Sequence, residues 1–460
     1  MSRSAICGLV VLAGGVASAA APSQPSPDPA TLAVAPEQVA KARGLVKQLG
    51  SAAYRDRDRA ARELADMGRA ALPALDASRH DPDPEVRMRV VALLPRAEAD
   101  ELRARIDTFL ADADARYSHD LPAFHRFRAI AGDDRSARGL FAEVLKNRAN
   151  YDLLLALRGV PADRVAPLAA CAGSVACAGP ENPPAADLAL TLAARRQEMQ
   201  LQINPQFPAV GGFQGGGYRP TTPDVPDIAL LLLAESLVSE TKVGFNPFQN
   251  QIASYLYQDP LRRAATGEGK HGPAFRRLVI HWMDTRDSMV GLQTAMSLAT
   301  QFRLGSREIA RYAARQLALD GGQPWARANA AAMVARYGGR EHLMAVTRLL
   351  SDPTFVVRGG INNQQPDIQV RDVALAMGAL LTGQNPADYG LSAANENAVM
   401  KYQYTNFRFV GDGKTQPEAK REAALAKWRD WELGLHASLA GAPAAVPVVA
   451  AKTALKGDAK

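Results

Sequence analysis

Between Leu45 and Leu94 an apolar helical pattern ends at Gly68, a second opens at Leu72-Pro73-Ala74-Leu75, and a third opens at Asp83-Pro84-Glu85-Val86-Arg87. Ala60, Leu64 and Met67 recur at i, i+4 and i+7, so they share one helix face, and Gly68 supplies a left-handed stop. Pro73 falls in a first helical turn, where its missing N–H costs little. Val86, Val90 and Leu93 make the third stripe, with Asp83 or a neighbour as N-cap. A unit of short helices that each carry one apolar stripe cannot bury those stripes alone, so stacked neighbours must cover them. The expectation is an all-α fold whose function is exercised by a surface.

Similar units return further on. Apolar residues recur at helical spacing over Leu292–Thr300, Glu308–Leu319, Trp325–Tyr337 and Glu341–Leu350, separated by Gly-Ser and Gly-Gly breaks. Asp352-Pro353-Thr354-Phe355-Val356-Val357-Arg358 and Gln369-Val370-Arg371-Asp372-Val373-Ala374 echo the opening motif as further helix starts. Leu102–Leu110, Phe124–Leu145 and Asp187–Met199 also look helical, the second interrupted at Gly132-Asp133-Asp134. Two stretches break the pattern. Residues 201–226 are too dense in Gly and Pro for a core helix and predict a long exposed loop. Within 383–416, Lys401-Tyr402-Gln403-Tyr404 and Phe407-Arg408-Phe409 alternate at period two and predict a short hairpin. Thr415 and Glu418 form a capping-box signature for a last helix over 417–436, where Ala424, Trp428, Trp431 and Leu435 share one face and would cover the open end of the stack.

The start of the chain has the form of an export signal over 1–19: Met-Ser-Arg, an apolar run Ala5–Val16, and Ala17-Ser18-Ala19 as the cleavage site. A membrane span needs about 20 apolar residues, more than this run or Ile228–Leu233 supplies. Cys7 lies inside the apolar run, which argues against a lipoprotein anchor. A Pro-, Ala- and Ser-rich linker over 20–40 follows, then helical regions over 41–200 and 227–382, and a disordered tail over 437–460. Cleavage near Ala19 leaves two of the three cysteines, Cys171 and Cys177, in the small-residue loop 171–177. In an oxidising compartment that pair suits a local disulfide; free thiols, a redox pair or half of a metal site are the alternatives. The formal net charge is +7, but acids and bases alternate, as in Arg55-Asp56-Arg57-Asp58-Arg59, so we expect solvated faces and no nucleic-acid partner.

Little in the sequence carries chemistry. None of the seven histidines forms H-E-x-x-H, and His119-Asp120 with His125 is the nearest approach to a metal constellation, better read as solvated or capping. Gly267-Glu268-Gly269-Lys270-His271-Gly272 superficially resembles a phosphate-cradling loop but lacks its spacing. No Ser stands in G-x-S-x-G, and Asp133-Asp134 suit a helix cap. No catalytic residue, cofactor or metal is therefore expected. The candidate partner-binding residues are loop aromatics, Phe207, Phe213 and Tyr218 in the Gly-rich stretch and Tyr402, Tyr404, Phe407 and Phe409 near the end, with packing back onto the helices as the competing role.

Taken together, Leu45–Leu94, Phe124–Asp134 with Ala137-Arg138, Gln369–Met377 with Leu381-Thr382-Gly383-Gln384, and Lys420–Trp428 resemble a group of exported bacterial HEAT-like, armadillo-type helical repeat proteins. The resemblance covers about half of the chain. It implies an α-solenoid, or α-α superhelix, with irregular loop insertions, and a periplasmic or extracellular address. It brings no catalytic residues with it. The function expected is that of a non-enzymatic scaffold binding another protein or envelope macromolecule. The alternatives are an enzyme, such as a hydrolase, with a site assembled from distant residues, and a structural subunit of an envelope assembly.

Overall fold

The computed structural model describes residues 26–158, 191–192, 194–195, 223–237, 247–357, 367–392, 400–409 and 417–440. The export signal, Cys171, Cys177, Phe207, Phe213 and Tyr218 lie outside them. The described chain is mostly helical. It divides into two compact units, one up to Asn147 and one from Arg148.

The N-terminal unit holds helices α1 (Pro36–Gln48), α2 (Tyr54–Met67), α3 (Leu72–Ala77), α4 (Pro84–Ala111), α5 (Phe124–Ala131) and α6 (Arg135–Lys146). Part of the expected linker is ordered: a 3-10 turn, Pro29–Leu32, starts where the Asp28 side chain accepts from the Ala30 N–H, and α1 begins at Pro36. Gly68 ends α2 at φ 53° and ψ −124°, and a Cβ there would meet Asp100 Oδ2 at 2.9 Å. Asp83 caps α4 by accepting from the Glu85 N–H. That helix then runs for 28 residues, straight through Pro95, rather than as the two helices the pattern suggested. Pro95 is tolerated because it faces solvent while its neighbours Leu94 and Ala97 face the core. The first half of α4 closes a core of Leu45, Val46, Leu49, Leu64, Leu75, Val86 and Val90. Its far end carries Phe109 into a second cluster, with ring centroids 4.8 Å from Phe124 and 6.2 Å from Phe141. Gly132, at φ 81°, and Asp134, which accepts from the Ala137 N–H, make the break between α5 and α6.

The C-terminal unit comprises α7 (Arg148–Arg158), α8 (Val225–Ser236), α9 (Pro247–Leu256), α10 (Leu261–Ala265), α11 (Gly272–Asp284), α12 (Met289–Gln301), α13 (Ser306–Leu317), α14 (Pro324–Tyr337), α15 (Leu343–Thr347), α16 (Val370–Thr382) and α17 (Pro417–Ala440). Every residue of α8 from Ile228 to Ser236 is buried, the state expected of a helix apolar all round. Its first residues, Val225 and Pro226, belong to the helix and not to the preceding loop. Among the described residues no helix is long and apolar enough to cross a membrane. From α12 onward the helices contact in succession: α12 with α13, α13 with α14, α14 with α16, and α16 with α17.

Three local expectations are corrected. Phe355–Val357 is a short strand, β1, paired antiparallel with β2 (Ile368–Gln369), and does not open a helix; its Phe-Val-Val run favours extended backbone over the Asp-Pro start that precedes it. Residues 400–409 form 3-10 turns at Met400–Tyr402 and Tyr404–Asn406 in place of a hairpin, and Phe409 instead makes a lone bridge to Leu391. The last helix continues to Ala440, into the stretch expected as a tail.

The terminal helix docks through aromatic and ionic contacts, among them pairs of Arg371 with Glu418 and Glu422. Trp428 is fully buried, and a Cβ on Gly378 of α16 would stand 3.0 Å from its ring, so a side chain there would have to displace the indole by a few tenths of an ångström. Trp431 is half-buried beside it, ring centroids 4.8 Å apart. Arg421 donates through Nε to Asp372 Oδ1 at 2.7 Å, both side chains being buried. Asp372 also accepts from the Gln369 N–H at 2.9 Å, closing a capping box at the start of α16. Burial pushes the Asp372 carboxyl above the usual carboxylate range, against the pull of Arg421.

Candidate functional site

An open concave surface lies in the C-terminal unit, along α13. That helix carries Arg307, Arg311 and Arg315 four residues apart and, on the adjoining row, Ala310 and Ala314 with Ala318 just past its end. Side chains four apart stack along one helix face, so the alanines form a floor and the arginines a rim. The opposite rim is Tyr337, Gly338, Gly339, Glu341 and His342, and the open groove between them has a volume of about 910 Å³.

The three arginines are not equivalent. Arg315 donates to the Asp284 carbonyl at 3.0 Å and to the Arg286 carbonyl, which fixes it over the C-terminal end of α11. Arg311 pairs with the Asp284 carboxylate, which also accepts from the Tyr312 hydroxyl at 2.6 Å. Burial, reinforced by that carboxylate, pushes the Tyr312 phenol well above its ordinary value, so it stays a donor. Arg307 is exposed and has no hydrogen-bond or ion-pair partner among the described residues. On the facing rim, His342 Nε2 lies 3.7 Å from Glu341 Oε1. Gly338 is required by crowding: a Cβ there would meet the Val334 carbonyl oxygen at 2.8 Å and Ala310 Cβ at 3.4 Å.

A second polar cluster lies in the N-terminal unit, at the end of α4. Asp112 is fully buried and accepts from the Arg116 and Tyr117 N–H groups at 3.0 and 3.1 Å and from His119 Nε2 at 3.0 Å. Arg138 donates to the Phe109 and Asp112 carbonyls, both at 2.8 Å, and to Asp133 Oδ1 at 2.7 Å. Burial by itself raises the Asp112 carboxyl, but the hydrogen bonds from His119, Arg116 and Tyr117 outweigh it and hold the group well below the usual carboxylate range. An ionised carboxylate only accepts, so His119 Nε2 carries the hydrogen. His119 borders a small pocket of about 230 Å³ with Glu101, Arg105 and Asp120. The Ser26 hydroxyl also bonds the Asp112 carboxylate, and the cluster folds the loop after α4 onto α6. His119 is thus buried and paired to Asp112, not solvated.

The lowered Asp112 pKa gives a pH prediction. A carboxyl whose folded pKa lies below its unfolded value of about 3.9 contributes stability above that value and loses it as pH falls toward the folded pKa. The N-terminal unit is expected to lose stability progressively below about pH 5, and Asp112→Asn to flatten that acid limb. Hydrogen exchange over Ala104–Leu145 at a series of pH values measures it, and an unchanged acid limb in the variant would count against the assignment.

Of the aromatic candidates within the described residues, Phe407 is 1% exposed and packs inward, which removes it as a partner anchor. Tyr402, Tyr404 and Phe409 are half-buried. Arg421 covers the Phe409 ring at 5.5 Å, and burial raises the Tyr404 phenol. The segment contacts α14. Among the described residues no three His, Cys, Asp or Glu side chains converge as a metal-ligand set. The arginine and alanine rows of α13 are visible as a period of four in Ser306–Ala318, but the same period describes any solvated helix face. No family model, curated protein or solved structure matches this chain.

Proposed function

We propose that this chain is an exported HEAT-like helical repeat protein, stacked as an α-solenoid, that acts as a non-enzymatic scaffold and engages a partner polypeptide along the groove of α13. The observation that carries this reading is the groove itself: an open trough of about 910 Å³ with a floor of small side chains and an arginine rim. Deep enclosed pockets with convergent ionisable groups suit small substrates, whereas an open trough suits a chain laid across it. The succession of contacts from α12 to α17 is what stacked repeats would give.

The test is capture of bound polypeptides from the envelope fraction of the host by the full chain and by Ala314→Trp, which fills the floor. Ala314 is only half-buried, so the variant should keep its melting curve and lose its bound polypeptides. Equal capture by both proteins would sink the groove reading. The intact mass of the natively purified chain reports, in the same preparation, whether it is cleaved near Ala19.

A further inference from the structure

The groove has a chemical polarity as well as a shape, and resting on the reading just given, that polarity selects its occupant. Successive arginines on α13 are four residues apart, a rise of about 6 Å. Alternate side chains of an extended strand project from one side every ~6.7 Å. Over the one interval from Arg307 to Arg311 the mismatch is about 0.7 Å, well within the reach of a long, flexible arginine. Arg307 is uncommitted, and Arg311 can share its guanidinium between Asp284 and a newcomer, because five N–H donors are available on each.

The facing rim favours an extended chain over a helix. Gly338 and Gly339 have extended backbones, at φ −98°, ψ −165° and φ −136°, ψ −170°. The Gly339 N–H has no acceptor among the described residues. An extended segment can pair with such a rim by strand addition. A helix needs about 10 Å of clear width, yet a single Cβ added at Gly338 would already stand 3.4 Å from Ala310 Cβ of the floor, so rim and floor lie close together there. Glu341 adds a repulsive element on this side, so carboxylates of the occupant are steered to the arginine rim.

We propose that the α13 groove binds an extended polypeptide segment carrying acidic side chains at alternate positions, its carboxylates meeting Arg307 and Arg311 and its backbone lying along Gly338–Gly339. The probe is a fluorescein-labelled peptide of alternating Glu and Ser, titrated by anisotropy against the full chain. A Lys-Ser peptide, a helix-forming peptide with Glu at i and i+4, and dextran sulfate serve as comparisons. The Glu-Ser peptide should bind best and weaken with added salt. Arg307→Gln should weaken it about fivefold, the factor that corresponds to one exposed ion pair of about 1 kcal/mol. Glu341→Gln should leave it equal or tighter.

Binding no better than Lys-Ser, or unaffected by Arg307→Gln, overturns the inference. So does preference for the helical peptide, and so does tighter binding of dextran sulfate with the same dependence on Arg307, which would assign the rim to a polysaccharide. If Ala314→Trp abolishes capture while Glu-Ser fails to bind, the groove reading stands and only the acidic class is wrong; if capture survives Ala314→Trp, the groove reading itself falls.

Discussion

Trp428→Ala is expected to lower the unfolding free energy of the C-terminal unit by about 3–5 kcal/mol, the range for truncating a fully buried large aromatic. The indole fills the space that Gly378 leaves open and stacks within 5.8 Å of the Tyr389 ring, so its removal leaves a cavity that neither α16 nor α17 can close without shifting. Trp428→Phe should retain the greater part of the stability. The indole N–H has no hydrogen-bond acceptor among the described residues, so phenylalanine forfeits volume but no hydrogen bond. Urea unfolding followed by circular dichroism measures both variants. A Trp428→Ala midpoint equal to wild type would mean that the terminal helix is held elsewhere.

Arg138→Met is expected to cost the N-terminal unit about 3–5 kcal/mol, because it removes one member of a buried charge cluster and leaves the other in place. Three hydrogen bonds disappear, two of them to the Phe109 and Asp112 carbonyls at the end of α4. The guanidinium also lies 4.6 Å over the Phe109 ring, so the methionine recovers some packing but none of the carbonyl bonding. Adding Asp112→Asn should return part of the loss, since the carboxylate left behind no longer carries a charge. Hydrogen exchange of α4 and α6 amides in denaturant reads this unit separately from the other. Equal and additive losses in the single and double variants would exclude the coupling.

Helix boundaries were legible where one residue type has a local physical reason to be there. Gly68 and Gly132 at positive φ, Asp83 and Asp134 as caps, and Pro73 in a first turn all act within a few residues of themselves. What depended on distant partners was not legible. The Val86–Leu93 stripe and the Leu102–Leu110 stretch read as separate helices, and one helix spans both because the core on its inner side holds it together through Pro95. Phe355–Val357 is a strand because Ile368–Gln369 is there to pair with it. Lys401–Phe409 has the alternation of a hairpin, yet Phe407 is drawn into the interior, and 3-10 turns accommodate that. Of the groove, the arginine row could be seen but not its meaning, because the facing rim of Gly338 to His342 is brought to it only by the turn after α14. The Asp112 cluster was hidden for the same reason: His119 and Arg138 converge on a carboxylate that the sequence marks as one more surface acid.

The length of α4 has a mechanical consequence. At 1.5 Å per residue its 28 residues form a rod about 42 Å long, with one aliphatic core gathered at the Pro84 end and one phenylalanine cluster at the Ala111 end. The two cores are beads on a single spindle. The spindle misses one hydrogen bond at Pro95, where the Val91 carbonyl lacks its helical donor and the side chains of Val91 and Pro95 face water. Leu94 and Ala97, on either side of Pro95, both belong to the aliphatic core, so that core splints the rod across its missing hydrogen bond, and the bare stretch between the beads lies beyond Ala97.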